Sequence, residues 1–275
     1  MTQAPHTRRR LLQAGASGAL LLSARAQAAR DPPLRVALVP YLSPRALLET
    51  WEPLRLYLVA ALSQPVEMYS AANFRALVES VRRRAQDLTL MPVHLGQMLA
   101  QEGTTQWVAM SSRRSDVLLA TTLPPEARWE GRRIGVGDPL SVLTLIGRRW
   151  IAASGLSDRV TVVEGPNPST LAVWLARGEV DAIVVSSAQI PDLPPLRGLT
   201  ALRTMLLDWI LTPGWQVPAD MPAPRRRELQ AALLAYRPED RGTAATTTWV
   251  VPDAAQLARY DPLAATARAI LEGRR

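Results

Sequence analysis

The sequence predicts a two-lobed α/β protein. Each lobe is expected to be a mostly parallel sheet flanked by helices, with two segments of chain, near residues 115–122 and 206–217, crossing between the lobes. Three observations carry this reading. Short β-type runs alternate with amphipathic helical stretches in a βαβαβ rhythm, and the rhythm occurs twice. Prolines punctuate the chain before and inside the second unit, at Pro124 and Pro125 and again from Pro191 to Pro195. The chain then returns through residues 206–217 and ends in two further helical stretches. A second lobe inserted into the first fits this order, with residues 29–119 and 209–275 in lobe 1 and residues 120–208 in lobe 2. Such sheets bind ligands beyond the carboxyl ends of their strands, and paired crossing segments act as hinges.

Residues 34–39 read as the first strand, stopped by Pro40. Residues 45–62 read as a helix, because Leu47, Leu48, Trp51, Leu54, Leu58 and Leu62 recur at three- and four-residue spacing. Residues 66–69 form a short strand, and Asn73 can cap a helix running to about Arg84. Residues 87–91 are a strand ended by Pro92, and a helix follows to about Gln101. In the second unit, strands are expected over 117–122, 133–136, 160–163 and 180–185. Helices are expected from about Leu140 to Ser154 and from about Pro168 to Arg177. The last helices fall at about 222–236 and 262–272. No repeat with a period of 20–50 residues is present.

Residues 1–28 read as an export leader. Arg8, Arg9 and Arg10, followed by Leu11 and Leu12, form a twin-arginine pattern. A weakly apolar run over 14–22 and the small-x-small site Ala26-Gln27-Ala28 complete it. The apolar run is too short for a permanent membrane anchor. The expectation is a periplasmic protein exported folded by the twin-arginine route and cleaved near Ala28. An arginine-rich cytosolic N-terminus is the alternative, but the charged region, apolar run and cleavage site stand in the order an export signal requires.

Composition narrows the function. The formal charge of +8 includes the four leader arginines Arg8, Arg9, Arg10 and Arg25, so the mature chain is only mildly basic. The arginine clusters at 82–84 and 225–227 sit on expected helices and read as solvated faces. No basic stripe interleaved with aromatics is present, so no nucleic-acid partner is expected. There is no cysteine, which excludes disulfides, thiolate metal sites, a cysteine nucleophile and a lipid-modified N-terminal cysteine. His94 is the one histidine after the leader, so no metal site of several histidines can form. Gly135-Val136-Gly137 begins like a dinucleotide fingerprint, but Leu140 stands where its third glycine belongs. No Walker A sequence and no Gly-x-Ser-x-Gly elbow occurs. No cofactor, no metal and no enzymatic activity are expected.

The candidate binding residues follow the strands. Gly137-Asp138-Pro139-Leu140-Ser141 joins a strand to a helix, and unpaired N–H groups at the helix start can hold an anion. Ser141, and Thr144 one turn on, would add hydroxyl donors; alternatively Asp138 or Ser141 simply caps the helix. Asn167-Pro168 opens the next helix of the same lobe, with Asn167 as cap or as ligand donor. In lobe 1, Tyr41 follows the first strand and His94 the third, and both are placed to meet a ligand across the cleft. A packing role for His94 is the other reading.

These segments resemble a known family, the periplasmic phosphonate/phosphite/phosphate-binding proteins of ABC transporters. The resemblance runs from about Leu34 to Leu271. Its strongest part is Gly131-Arg132-Arg133-Ile134-Gly135-Val136-Gly137-Asp138-Pro139-Leu140-Ser141, against the family's G-K-x-x-A-x-x-D-P-x-S. Val39-Pro40-Tyr41, Leu90 to His94, Leu175 to Ala182 and Tyr260-Asp261-Pro262-Leu263 support it. The resemblance implies a periplasmic-binding-protein-like fold that captures a small phosphorus oxyanion between its lobes. It implies a monomer that delivers its ligand to a membrane permease; a sensor docking on a membrane histidine kinase is the alternative use of the same fold. Two departures thin the anion pocket. The hydroxyl-rich continuation of D-P-x-S is here Val142-Leu143-Thr144, and the family's S-H-x-N is Pro166-Asn167-Pro168-Ser169. The donors that remain are Ser141, Thr144, Asn167 and Ser169.

The leader reading has a direct test. Replacing Arg8 and Arg9 together by lysine is expected to leave an unprocessed precursor in the cytoplasm, seen by fractionation and immunoblotting. Normal periplasmic accumulation would refute it.

Overall fold

The computed structural model describes residues 32–42, 44–124, 126–197, 202–204, 210–211, 213–238 and 248–274. The leader expected over residues 1–28 lies outside them. The first sheet contains β1 (Leu34–Leu38), β2 (Val66–Ser70), β3 (Leu88–Met91), β4 (Thr105–Ser111), β12 (Gly214–Pro218) and β13 (Trp249–Val250), in the spatial order β13-β4-β12-β3-β1-β2. Its helices are α1 (Pro44–Leu62), α2 (Phe74–Arg82), α3 (Val93–Gln101), α6 (Ala223–Ala235), α7 (Ala254–Ala258) and α8 (Asp261–Leu271). The second sheet has the order β10-β6-β9-β7-β8, from β6 (Val117–Thr121), β7 (Arg133–Val136), β8 (Thr161–Glu164), β9 (Ala182–Ser186) and β10 (Leu202–Thr204). Helices α4 (Val142–Ala153) and α5 (Pro168–Ala176) flank it. A two-stranded ribbon of β5 (Arg114–Ser115) and β11 (Ile210–Leu211) lies between the sheets in chain order.

Each sheet keeps the expected parallel core and adds antiparallel strands. In the first, β1 pairs in parallel with β2, starting at Leu34 opposite Val66, and with β3. In the second, β7 pairs in parallel with β8 and β9. The strands that bring the chain across, β6 and β12, run antiparallel to their neighbours. Both sheets are therefore mixed rather than mostly parallel, because a strand entering from the other lobe arrives at the opposite edge from a βα crossover. All of Val117–Thr121 pairs in the second sheet and all of Gly214–Pro218 in the first, so the crossings are shorter than expected. The outgoing one occupies residues 112–116.

Apolar periodicity explains the packing. Leu47, Trp51, Leu54, Leu58 and Leu62 of α1 are buried, whereas Leu48, turned off that stripe, is exposed. In α2, Leu77, Val78 and Val81 are buried, and the Asn73 Oδ1 accepts the Ala76 N–H at 2.8 Å as the expected cap. Strands β4 and β13 and helix α7 went unanticipated. β4 begins with polar Thr105 and Gln106, yet it lies between β13 and β12 with Val108, Ala109, Met110 and Ser111 buried. A strand covered on both faces loses the alternation that marks a half-buried one. The arginine clusters lie against acids and amides. Arg82 pairs with Glu102, Arg84 with Asp220 and Arg225 with Glu228, while Arg226 donates to Gln106. No described helix is long and apolar enough to cross a membrane.

Gly214 gives a stability test. A Cβ there would press on Met110, lie 2.8 Å from the Ala109 carbonyl oxygen and lie 2.9 Å from the Trp107 ring. Gly214→Ala is expected to lower unfolding free energy by about 1–3 kcal/mol, the usual cost of overpacking. An unchanged urea midpoint would contradict this packing.

Candidate functional site

A cavity of about 150 Å³ lies where the carboxyl ends of the parallel strands of both sheets meet. Lobe 1 reaches it through the segments after β1, β3 and β4. Lobe 2 reaches it through those after β7, β8 and β9.

On the lobe 2 side the Asp138-Pro139-Leu140-Ser141 turn closes on itself. The Asp138 Oδ1 accepts the Leu140 N–H at 2.8 Å, and the Asp138 carbonyl accepts the Ser141 N–H at 2.8 Å. Asp138 therefore organises the turn. Ser141 is the N-cap residue of α4 by backbone geometry, but its side chain makes no capping bond. The first backbone bond of the helix runs from the Leu145 N–H to the Ser141 carbonyl. The N–H groups of residues 142–144 thus have no intrahelical acceptor. Ser141, Val142 and Leu143 all line the cavity. Asn167 lines it too, but its Oδ1 is engaged as the cap of α5, accepting the Thr170 N–H at 2.9 Å. Its side-chain amide NH2 remains as the donor that could face a ligand.

The lobe 1 side is aromatic. Tyr41, Trp51, Phe74, Trp249 and Tyr260 all line the cavity. Trp51 and Trp249 belong to a cluster with Trp215, with ring centroids 5.6–6.2 Å apart. The Trp51 Nε1–H donates to the Tyr41 hydroxyl at 3.1 Å, which fixes that ring. Arg113, in the outgoing crossing, brings a cation to the cavity wall. Sequence reasoning passed over it because it precedes the expected crossing and belongs to no motif.

The other three candidates lie elsewhere. His94 is fully buried and is not part of the cavity wall; its Nε2 lies 2.8 Å from the Leu140 carbonyl oxygen. A carbonyl only accepts, so Nε2 carries the proton and Nδ1 is left without a partner. This bond joins the lobes, since His94 lies on α3 and Leu140 precedes α4. Leu140 itself is 3% exposed and packs in the lobe 1 core. Burial pushes the His94 pKa down to about 4, against a smaller upward pull from the Leu140 carbonyl. Thr144 is also fully buried, its hydroxyl without a partner behind the loop at Gly137. Ser169 is exposed, one position past the Asn167-Pro168 start of α5. Among the described residues no cluster of three or more potential metal ligands occurs.

The family model described as ABC transporter, phosphonate, periplasmic substrate-binding protein matches residues 36–261. No curated protein sequence matches the chain. Among solved structures the chain is similar to PhnD1 from Prochlorococcus marinus in complex with methylphosphonate, with a TM-score of 0.71 at 13% identity, covering 86% of this chain and 98% of that one. It is similar to a binding protein component of an ABC phosphonate transporter from Pseudomonas aeruginosa, with a TM-score of 0.68 at 15% identity, covering 89% and 90%. A Xanthomonas citri protein bound to ATP gives a TM-score of 0.67 at 14% identity, covering 89% and 99%. At these identities the structural likeness is one of fold.

The inter-lobe histidine makes stability depend on pH. The unfolded chain binds its proton near pH 6.5 and the folded chain near pH 4, so between these values the unfolded state holds more protons. The contribution is complete above pH 6.5 and is lost as pH falls towards 4, amounting to about 3 kcal/mol for a shift of this size. His94→Gln is expected to flatten the dependence of unfolding free energy on pH across that window; an unaltered slope would assign the dependence to other groups. The caps divide likewise. Asn167→Ala should cost about 1 kcal/mol of stability, and Ser141→Ala less than about 0.5 kcal/mol.

Proposed function

The chain belongs to the periplasmic substrate-binding protein family of phosphonate ABC transporters, and from that premise we propose that its cleft captures a phosphorus oxyanion for an inner-membrane permease. The observation that carries this reading is the start of α4. There Ser141 holds the capping position without using its hydroxyl to cap, beside N–H groups that lack intrahelical acceptors, and Ser141, Val142 and Leu143 line the cavity. A doubly charged oxyanion gains most from several converging donors together with the helix dipole. Arg113 in the outgoing crossing adds a charge-assisted partner and Tyr41 lines the lobe 1 side, so the ligand would touch both lobes. Only a ligand that does so favours closure over opening.

The protein binds without transforming its ligand. Among the described residues, the titratable side chains on the cavity wall are Tyr41, Arg113, Asp138 and Tyr260. Asp138 is engaged by the turn, and His94, as a neutral buried group donating to Leu140, is out of reach as a general base. The mature protein acts as a monomer, free in the periplasm after twin-arginine export, with no nucleic-acid partner. Ser141 and the N–H groups beside it, Asn167, Arg113 and Tyr41 form the binding set; Thr144 and His94 support it from beneath.

Thermal unfolding of the mature protein with phosphate, phosphite and alkylphosphonates tests this. A ligand at a hundred times its dissociation constant adds about 2.7 kcal/mol of stability. Ser141→Ala should weaken binding by about 1.5–3 kcal/mol, the value of a hydrogen bond to a charged group. Stabilisation by none of these oxyanions would refute the reading.

A further inference from the structure

We propose that His94 is a positioning residue that latches the lobes: its bond to the Leu140 carbonyl holds the cleft shut before any ligand arrives, and so sets how fast ligand enters and leaves. The bond runs from the Nε2–H of His94, at the start of α3 in lobe 1, to the carbonyl of Leu140, ahead of α4 in lobe 2, at 2.8 Å. His94 is fully buried, and a hydrogen bond shielded from water is electrostatically stronger than an exposed one. The Leu140 side chain is buried in the lobe 1 core. Lobe 1 therefore grips both the backbone and the side chain of one lobe 2 residue, and neither contact needs a ligand. Histidine is a costly choice for packing alone. Among the described residues its Nδ1 has no partner, and an unpartnered buried polar atom destabilises a fold. A leucine would fill such a position without that penalty. What histidine adds is the donor to Leu140.

The latch also lies off the hinge, so opening must break it. In the outgoing crossing, the Ser112 N–H donates to the Thr248 carbonyl in lobe 1 at 3.0 Å. The Ser115 hydroxyl lies 2.6 Å from that of Ser186 and 3.1 Å from that of Ser187, at the end of a lobe 2 strand. With both ends tied, bending of this segment is left to residues 113–114. The segment leaves β4 and enters β6. His94 follows β3, two places from β4 in the first sheet, and Leu140 follows β7, two places from β6 in the second. Neighbouring strands are about 4.8 Å apart, which puts the latch about 10 Å from the crossing strand on each side. A rotation of about 15° displaces groups at that distance by about 2.5 Å. A hydrogen bond of 2.8 Å does not survive such a displacement.

The latch does not depend on what the ligand is, whereas its effect on binding rests on the phosphorus-oxyanion reading. Ligand enters only through the open fraction, and it leaves only when the same bond breaks. The latch therefore slows entry and exit by similar factors and changes affinity little.

The chain has no cysteine, so spin labels on Ala60→Cys and Ala152→Cys, at exposed positions of α1 and α4, report the distance between the lobes. By pulsed electron paramagnetic resonance, the ligand-free mature protein is expected to give one distance that phosphate, phosphite and methylphosphonate leave in place. Ligand-free His94→Leu should show a second, open population, with an open fraction about fivefold that of the unaltered protein, the worth of one hydrogen bond. His94→Gln, whose amide can donate to the Leu140 carbonyl, should restore the single distance. In stopped flow, with tryptophan fluorescence reporting methylphosphonate binding, His94→Leu should associate and dissociate about fivefold faster, with a dissociation constant changed by less than about twofold. Should His94→Leu fail to fold, Leu140→Ala, which withdraws the side-chain anchor, should open the cleft in the same way. A label distance in the unaltered protein that moves when ligand is added would overturn the latch and leave the oxyanion reading standing. So would an unlatched variant with unchanged distances and an unchanged association rate. Binding of none of the three anions would overturn the oxyanion reading, and the ligand-free distances would still decide the latch.

Discussion

Parallel pairing is the constraint on which the rest of this protein depends. β1 lies in parallel with β2 and β3, and β7 with β8 and β9. Parallel neighbours can be joined only by a crossover, here a helix each time, so every βα junction of a lobe falls at one edge of its sheet. A helix that starts at such an edge presents N–H groups without intrahelical acceptors. When the edges of two such sheets face each other, those groups line the space between them. The cleft, the helix starts on its lobe 2 side and the position of Ser141 all follow from that geometry.

The lobes are joined by more than the covalent crossings. The outgoing segment and the return pair as the ribbon of β5 and β11. The Ser115 hydroxyl lies 2.6 Å from that of Ser186, at the end of a lobe 2 strand. His94 reaches from lobe 1 to the Leu140 carbonyl, and Leu140 places its side chain among lobe 1 core residues. Opening the cleft while the hinge ribbon stays intact would break the His94 bond and expose Leu140. The residue that ends the D-P-L turn thus positions the start of α4 and also links the lobes. A change in the turn at residues 138–141 is therefore felt in lobe packing, and the reverse holds too.

The two sides of the cleft differ in chemistry. Lobe 2 contributes short polar groups and backbone N–H donors, held by the Asp138 turn and the Asn167 cap. Lobe 1 contributes large rings fixed by a tryptophan cluster that is part of its own core. One side offers hydrogen-bond donors and the other aromatic faces.

The sequence by itself determined the two α/β lobes, the helix faces and the turns from which a site could be built. These depend on local periodicity and on residues such as Asn73, Asp138, Asn167 and Pro168, whose effects act within a few positions. It also carried the family resemblance through Asp138-Pro139-Leu140-Ser141. Strand β4 was not legible, because a strand covered on both faces loses its alternation. Nor was the choice at the α4 turn, where Asp138 and Ser141 could each have capped; the folded turn commits Asp138 and releases Ser141. Tyr41, Ser141 and Asn167 meet at the cavity, whereas His94 and Thr144 are buried behind it and Ser169 is exposed, a division that no spacing in the chain encodes. Arg113 and the aromatic wall come from segments far apart in the chain. Only the tertiary structure decided which side chains share the cleft, because such proximity depends on how two sheets are set against each other and not on order along the chain.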